Sequence, residues 1–280
     1  MRIRAITGFF FIIVMLASVL LGKYVFGGFY LLLSAVCLWE FYSNVKKSGI
    51  KPLFTIGIIN GVVIYTLFFI MSHSGVFNRL LFIMPVLLSS IFILALFKKH
   101  EAPFTNIAYT FLGLIFTIMP FTFFHALAYV DGNFMTTDIL GNFNFHYPMA
   151  FLLMLWANDT GAYLVGSKLG KTKLFERHSP KKTWEGLIGG ILITAGAAVW
   201  ISYYFTDLPW QQWVIVGVLI SCFGTIGDLI ESMFKRSINV KDSGGLLPGH
   251  GGLLDRFDGL LIAAPIVYTY LYVYFIIIKL

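Results

Sequence analysis

Between Ser232 and Asp258 the chain reads SMFKRSINVKDSGGLLPGHGGLLDRFD, a run dense in cationic, acidic, glycine and histidine residues, flanked on both sides by strongly apolar sequence. Charge beside a hydrocarbon-facing segment is costly to keep, so such a cluster is a functional hypothesis in its own right. Asp255 and Asp258 are spaced i and i+3, which on a helix presents both carboxylates on one side. Hard oxygen ligands suit Mg2+, which takes one or two carboxylates and completes its shell with water and substrate phosphates. Zinc is disfavoured, because there is no cysteine pair and no HExxH. Upstream, Asp228, Glu231, Ser232 and Lys235 share one helix face and form a polar stripe on an apolar segment. The stripe runs into Lys235-Arg236, then Lys241-Asp242, then the glycines around His250, with Gly251 and Gly252 directly after it. Glycines here permit close backbone approach to a ligand, and successive N–H groups can line an anion-binding hollow. A solvated loop with salt bridges, such as Arg256 to either aspartate, does not account for so dense a mixture. The chemistry indicated is phosphate handling.

Two further stretches carry polar chemistry. Asn158-Asp159-Thr160-Gly161 lies late in an apolar segment, where an aspartate needs a lysine, a metal or water as partner. A structural carboxylate capped by Thr or Asn is the alternative. Ser179-Pro180-Lys181-Lys182-Thr183-Trp184-Glu185-Gly186 precedes a helix, with Pro180 and Thr183 as helix-entry residues. Free N–H groups at a helix start attract phosphate, and Lys181 and Lys182 would add point charges; an ordinary basic loop is the plainer reading.

These residues must be held by elements that composition places in a membrane. With 58% hydrophobic and 12% charged residues and a mean hydropathy of +0.84, the chain lies far from a soluble composition. Apolar runs predict about nine transmembrane helices, at Ile6–Leu21, Tyr24–Tyr42, Leu53–Met71, Leu80–Phe97, Ile107–Val130, Met149–Leu164, Glu185–Phe205, Trp213–Phe234 and Gly259–Ile278. The expected fold class is an all-α integral membrane protein. A cytoplasmic N-terminus puts 17 of the 20 Lys and Arg residues on cytoplasmic segments, as the positive-inside rule requires, together with both motif-rich loops. The first apolar run resembles a signal peptide but is read as a retained helix, since no A-x-A site follows. The net charge of +7 suits anionic head groups or a nucleotide triphosphate, and part of it is the topology signal.

Residues 1–280 are expected to form one polytopic domain, with 1–147 as scaffold and dimer or lipid contacts and 148–280 as catalytic helices and loops. Residues 131–147, free of Lys and Arg, read as an outside connector. Cys37 and Cys222 read as small buried hydrophobes. Glu40 and His125 lie inside apolar runs and read as structural or interfacial, with Glu40 near a helix end and able to reach water. Gly186 and Gly190 form a small-xxx-small packing pattern.

Taken together, Ser232-x-x-Lys235-Arg236, Lys241-Asp242, Pro248-x-His250-Gly251-Gly252 and Asp255-Arg256-x-Asp258 resemble the signature of the bacterial phosphatidate cytidylyltransferase, or CDP-diglyceride synthase, family. NDTGAYLVG and SPKKTWEG are similar to segments of the same family. The resemblance implies CTP plus phosphatidate giving CDP-diacylglycerol plus pyrophosphate, at the cytoplasmic face of the inner membrane. It further implies an all-helical homodimer that uses Mg2+ and a second, monovalent cation (K+). Carried residue by residue, it makes Asp228 and Asp255 metal ligands with Ser232 and Asp258 nearby, so the expected metal set is Asp228, Asp255 and Asp258. Lys181, Lys182, Lys235, Arg236, Lys241 and Arg256 would screen phosphate charge, with His250 as hydrogen-bond or proton-transfer partner, and Asp242 is counted with the expected catalytic residues. Asn158, Asp159, Gly251 and Gly252 complete the expected substrate and phosphate contacts.

A CDP-alcohol phosphotransferase is a rival enzyme class, but its paired DxxD elements on successive helices are not seen. An ion-coupled transporter is the non-enzyme rival. Transporters show repeated halves with midplane sites, whereas polarity here gathers in one half and at one face. No nucleic-acid motif is present.

Overall fold

A computed structural model of the chain describes residues 2–74, 81–99, 101–130, 143–240, 243–244 and 251–278. Helix is found at each of the nine expected segments. Among the described residues, six helices are long and apolar enough to cross a membrane, and Gly8–Leu20 and Met84–Leu96 are shorter apolar helices. The chain is thus an all-α integral membrane protein, with one small addition that the sequence reading lacks, a two-stranded hairpin. It divides into two compact units, residues 1–143 with 238–256, and residues 144–237 with 257–280. Residues 238–256 of the motif-rich region group with residues 1–143 in the first of these units.

The first unit contains α1 (Arg2–Leu20), α2 (Lys23–Lys47), α3 (Phe54–Ser74), α4 (Met84–Leu96), α5 (Pro103–Gly113) and α6 (Met119–Leu127). A π-helical turn at Leu114–Ile118 joins α5 to α6 within one continuous span. Its core is aromatic. Phe26 and Tyr30 of α2 are fully buried and pack at a tilt against each other and against Phe124 of α6, with ring centroids 4.8–5.8 Å apart. His125 is buried within this layer, 5.5 Å from the Phe26 ring at a near-parallel 18° and close to Tyr65, Phe69 and Tyr129. Such rings dominate packing energetics, and the His125 imidazole is one member of this layer. Polar bonds fix the helix ends: Tyr42 donates to the Thr110 carbonyl at 2.7 Å, and the Leu53 N–H donates to Thr110 Oγ1 at 2.9 Å. Cys37 is a free, fully buried thiol here, while Cys222 of the second unit is half-buried.

The second unit contains α7 (His146–Leu169), the hairpin strands β1 (Lys173–Phe175) and β2 (Ser179–Thr183), α8 (Trp184–Ser202) and α9 (Trp210–Ser237). α10 (Leu254–Ile278) starts at the last residues of the first unit and continues through the second. α7, α8 and α9 pack on one another. α7 carries Asn158 and Asp159 and is not among the six most apolar spans. Gly190 sets the α7–α8 distance: a Cβ there would lie 2.6 Å from Asn158 Oδ1, and one at Gly186 would lie 3.0 Å from the Ala162 carbonyl. The small-xxx-small pattern is therefore a helix-packing device. At the far end of α7, Asn144 and His146 both bond the Asp207 carboxylate, at 2.8 and 2.7 Å. The connector expected at 131–147 lies outside the described residues up to 142.

Candidate active site

The polar stripe predicted on α9 is present, and its members bond along the helix. Ser232 Oγ donates to Asp228 Oδ1 at 3.3 Å, and Lys235 is ion-paired with Glu231, whose side chain is wholly buried. Lys182 enters from β2 and is ion-paired with the other oxygen of Asp228. The hairpin makes this reach possible. SPKKT is an extended strand whose side chains alternate, leaving Lys181 exposed while Lys182 is half-buried. The strand then ends in Thr183, which caps α8 by accepting the Gly186 N–H at 3.2 Å. Glu185 accepts the Lys171 and Thr172 N–H groups, each at 3.1 Å, and so ties the hairpin to the helix start.

Asp258 joins the same unit because α9 and α10 approach closely. A Cβ at Gly227 would collide with the Asp258 carbonyl oxygen, and one at Gly224 would lie 3.9 Å from Gly259 Cα. Only glycine allows that approach. It brings Asp258 within range of the charges of Asp228, Glu231 and Asp159. Asp258 thus feels the like charge of three other carboxylates, of which Asp228 is ion-paired with Lys182 and Glu231 with Lys235. Like charges held together in partly dry surroundings favour any cation that enters. Among the described residues no three His, Cys, Asp or Glu side chains converge into a ready-made metal cage.

Asp255 belongs to a network in the first unit. Its carboxylate accepts the Ser243 N–H at 3.1 Å and the Gly252 N–H at 3.0 Å, and its own N–H donates to Ser243 Oγ at 3.2 Å. Gly251, at φ +84°, makes the turn that leads into this arrangement, a backbone angle that suits glycine. α2 holds the same segment from the other side. Glu40 accepts the Leu254 N–H at 2.9 Å, and Asn44 donates to the Ser243 carbonyl.

The remaining expected residues fall as follows. Arg236 and Arg256 are exposed, Asn158 is buried against α8, and Asp159 is exposed. Lys241, Asp242 and His250 lie outside the described residues. Glu40 corrects its expectation: it is 1% exposed and bonded to backbone, so it does not reach water. Asn44 and Ser243 gave no sequence signal, since a lone Asn or Ser near a helix end is commonplace. Glu231 was visible as part of the stripe, but its burial was not.

The cytidylyltransferase family model matches residues 2–274. The chain is 32% identical over 271 residues to a phosphatidate cytidylyltransferase of Staphylococcus aureus (strain COL), covering 95% of this chain and 97% of that one. It is 33% identical over 269 residues to that of Staphylococcus saprophyticus, with 95% and 97% covered. It is 32% identical over 273 residues to that of Bacillus subtilis (strain 168), with 96% of each chain covered. With the match running nearly end to end over both the apolar helices and the lysine–carboxylate pairs, this chain belongs to the cytidylyltransferase family.

Proposed function

We propose that the protein is a phosphatidate cytidylyltransferase, which converts CTP and phosphatidate into CDP-diacylglycerol and pyrophosphate. A phosphatidate oxygen attacks the α-phosphorus of CTP, a new P–O bond forms, and the bond from that phosphorus to the bridging β-phosphate oxygen breaks. The lipid phosphate is already a competent nucleophile, so the protein's task is to bring two polyanions together and stabilise the leaving pyrophosphate. The observation that carries this reading is the Lys182–Asp228 pair beside the α9 stripe, on a chain related end to end to enzymes of that name. A lysine paired to a carboxylate is oriented without being consumed, and can turn its charge to an incoming phosphate.

The carboxylates fit Mg2+ by donor chemistry: they are hard oxygens, few in number, and Asp258 lies under the like charge of Asp228, Glu231 and Asp159. Asp228 and Asp258, with Asp255 three residues earlier on α10, would hold it. Bound there, Mg2+ would neutralise the triphosphate and stabilise charge developing on the leaving group. Ser232 orients the Asp228 carboxylate, and Asn158, Asp159, Lys181, Lys235, Arg236, Lys241, Asp242, His250, Gly251, Gly252 and Arg256 complete the proposed contacts with the two substrates. The same proposal includes about nine spans with the N-terminus and the site at the cytoplasmic face of the inner membrane. It also includes acyl chains retained in lipid, a homodimer, and a monovalent cation such as K+.

The test uses the purified full chain in detergent, with radiolabelled CTP, phosphatidate, and either Mg2+ or EDTA. Labelled CDP-diacylglycerol that forms only with lipid and Mg2+ together, with one pyrophosphate released per product, is the expected result. A folded sample that makes no liponucleotide under any of these conditions would overturn the proposal.

A further inference from the structure

We infer that Glu40 and Asn44, on α2 and far in sequence from the motif region, are positioning residues that hold Asp255 in its working orientation. This rests on the proposed reading, in which Asp255 meets Mg2+ and the CTP phosphates. Glu40 is a carboxylate with 1% exposure, which is costly unless it is bonded. Its Oε2 accepts the Leu254 N–H at 2.9 Å. That donor is the first residue of α10, one of the N–H groups a helix cannot satisfy internally, and the helix start favours a negative charge. Both carboxylate oxygens press on glycines of the motif region: a Cβ at Gly244 would lie 2.5 Å from Oε1, and one at Gly252 would lie 2.7 Å from Oε2. These two glycines make room for the Glu40 carboxylate as well as giving backbone freedom.

One turn along α2, Asn44 is fully buried and donates to the Ser243 carbonyl, while Lys47 donates to Asn44 Oδ1 at 3.0 Å. Ser243 and Gly252 are the residues whose N–H groups reach the Asp255 carboxylate. Each α2 side chain thus grips a residue that grips Asp255 or lies next to it. A packing role would be served by an apolar residue of similar size; here a carboxylate and an amide are each matched to a backbone partner.

The test compares Glu40→Ala, Glu40→Gln and Asn44→Ala in the full-length protein in detergent. Gln keeps an oxygen for the Leu254 N–H, so it should rescue what Ala loses. Hydrogen exchange of peptides covering residues 243–257, measured without substrate or Mg2+, should rise about tenfold in Glu40→Ala and in Asn44→Ala, and much less in Glu40→Gln. The Mg2+ concentration for half-maximal turnover should rise about tenfold in the two Ala variants, the usual scale for losing an outer-shell partner. A merely structural role would reduce the folded amount and leave the Mg2+ dependence alone. Folded Ala variants with wild-type exchange at 243–257 and wild-type Mg2+ dependence would overturn the inference. If Glu40→Ala does not accumulate, Asn44→Ala decides it by the same two readings. Wild-type protein with no liponucleotide synthesis would sink the proposed function, while the exchange comparison would still decide whether α2 holds the segment.

Discussion

Lys182 Nζ on β2 is ion-paired with the Asp228 carboxylate on α9, joining the basic hairpin to the polar stripe. Both side chains keep about a third of their surface, 27% and 35%. Exposed pairs of this kind contribute less than about 1 kcal/mol to stability. Lys182→Ala should therefore leave thermal unfolding in detergent within about that range, while lowering turnover about a hundredfold if the ammonium acts on the triphosphate. Loss of stability without loss of turnover would assign the pair to the fold instead.

Lys235 and Glu231 should behave in the opposite way. The Glu231 side chain has no exposed surface, and Lys235 keeps 14%. Removing one partner of a buried pair strands the other charge and costs about 3–5 kcal/mol. Lys235→Ala should lower the unfolding temperature far more than Lys182→Ala, and adding Glu231→Gln should recover much of the loss. A double variant no more stable than Lys235→Ala would show that the pair is not what holds this turn of α9.

Gly227 tests whether the approach of α9 to α10 positions the carboxylates. Alanine there drives a Cβ into the Asp258 carbonyl, and overpacking costs about 1–3 kcal/mol. Gly227→Ala should lose that stability and, because Asp258 is displaced from Asp228, lose turnover as well. Gly196 has no atom within 4 Å of its would-be Cβ, so Gly196→Ala is the control and should be close to wild type in both readings. Equal behaviour of the two variants would show that the close approach is not needed.

Much of this arrangement was legible in the sequence, and for physical reasons. Apolar runs about 20 residues long can only be helices in lipid, because every backbone group must be satisfied within the segment. Helical spacing was enough to place Asp228, Glu231, Ser232 and Lys235 on one face, and Thr183 behaved as a helix-entry residue. The hairpin was hidden, since two short exposed strands leave no apolar alternation in SPKKT. The role of Glu40 was hidden for a different reason. Its partner, the Leu254 N–H, is 214 residues away, and local pattern carries no information about contacts at that separation. The same holds for Asn44 with Ser243, 199 residues apart.

Asp255→Asn separates charge from geometry at a carboxylate held by two backbone N–H groups. The amide oxygen can still accept the Ser243 or Gly252 N–H, so the start of α10 should remain in place and unfolding should shift by no more than about 1 kcal/mol. What it removes is the formal charge that Asp255 would offer to a hard cation. Turnover with CTP and phosphatidate should fall to the background seen with EDTA. Added Mg2+ should raise the unfolding temperature of the wild-type protein, as any ligand that binds only the folded state does, and should fail to do so in Asp255→Asn. If Asp255→Asn keeps both turnover and the Mg2+-dependent shift, Asp255 is a backbone clamp for the Gly251–Leu254 turn, and the cation is carried by Asp228 and Asp258 alone.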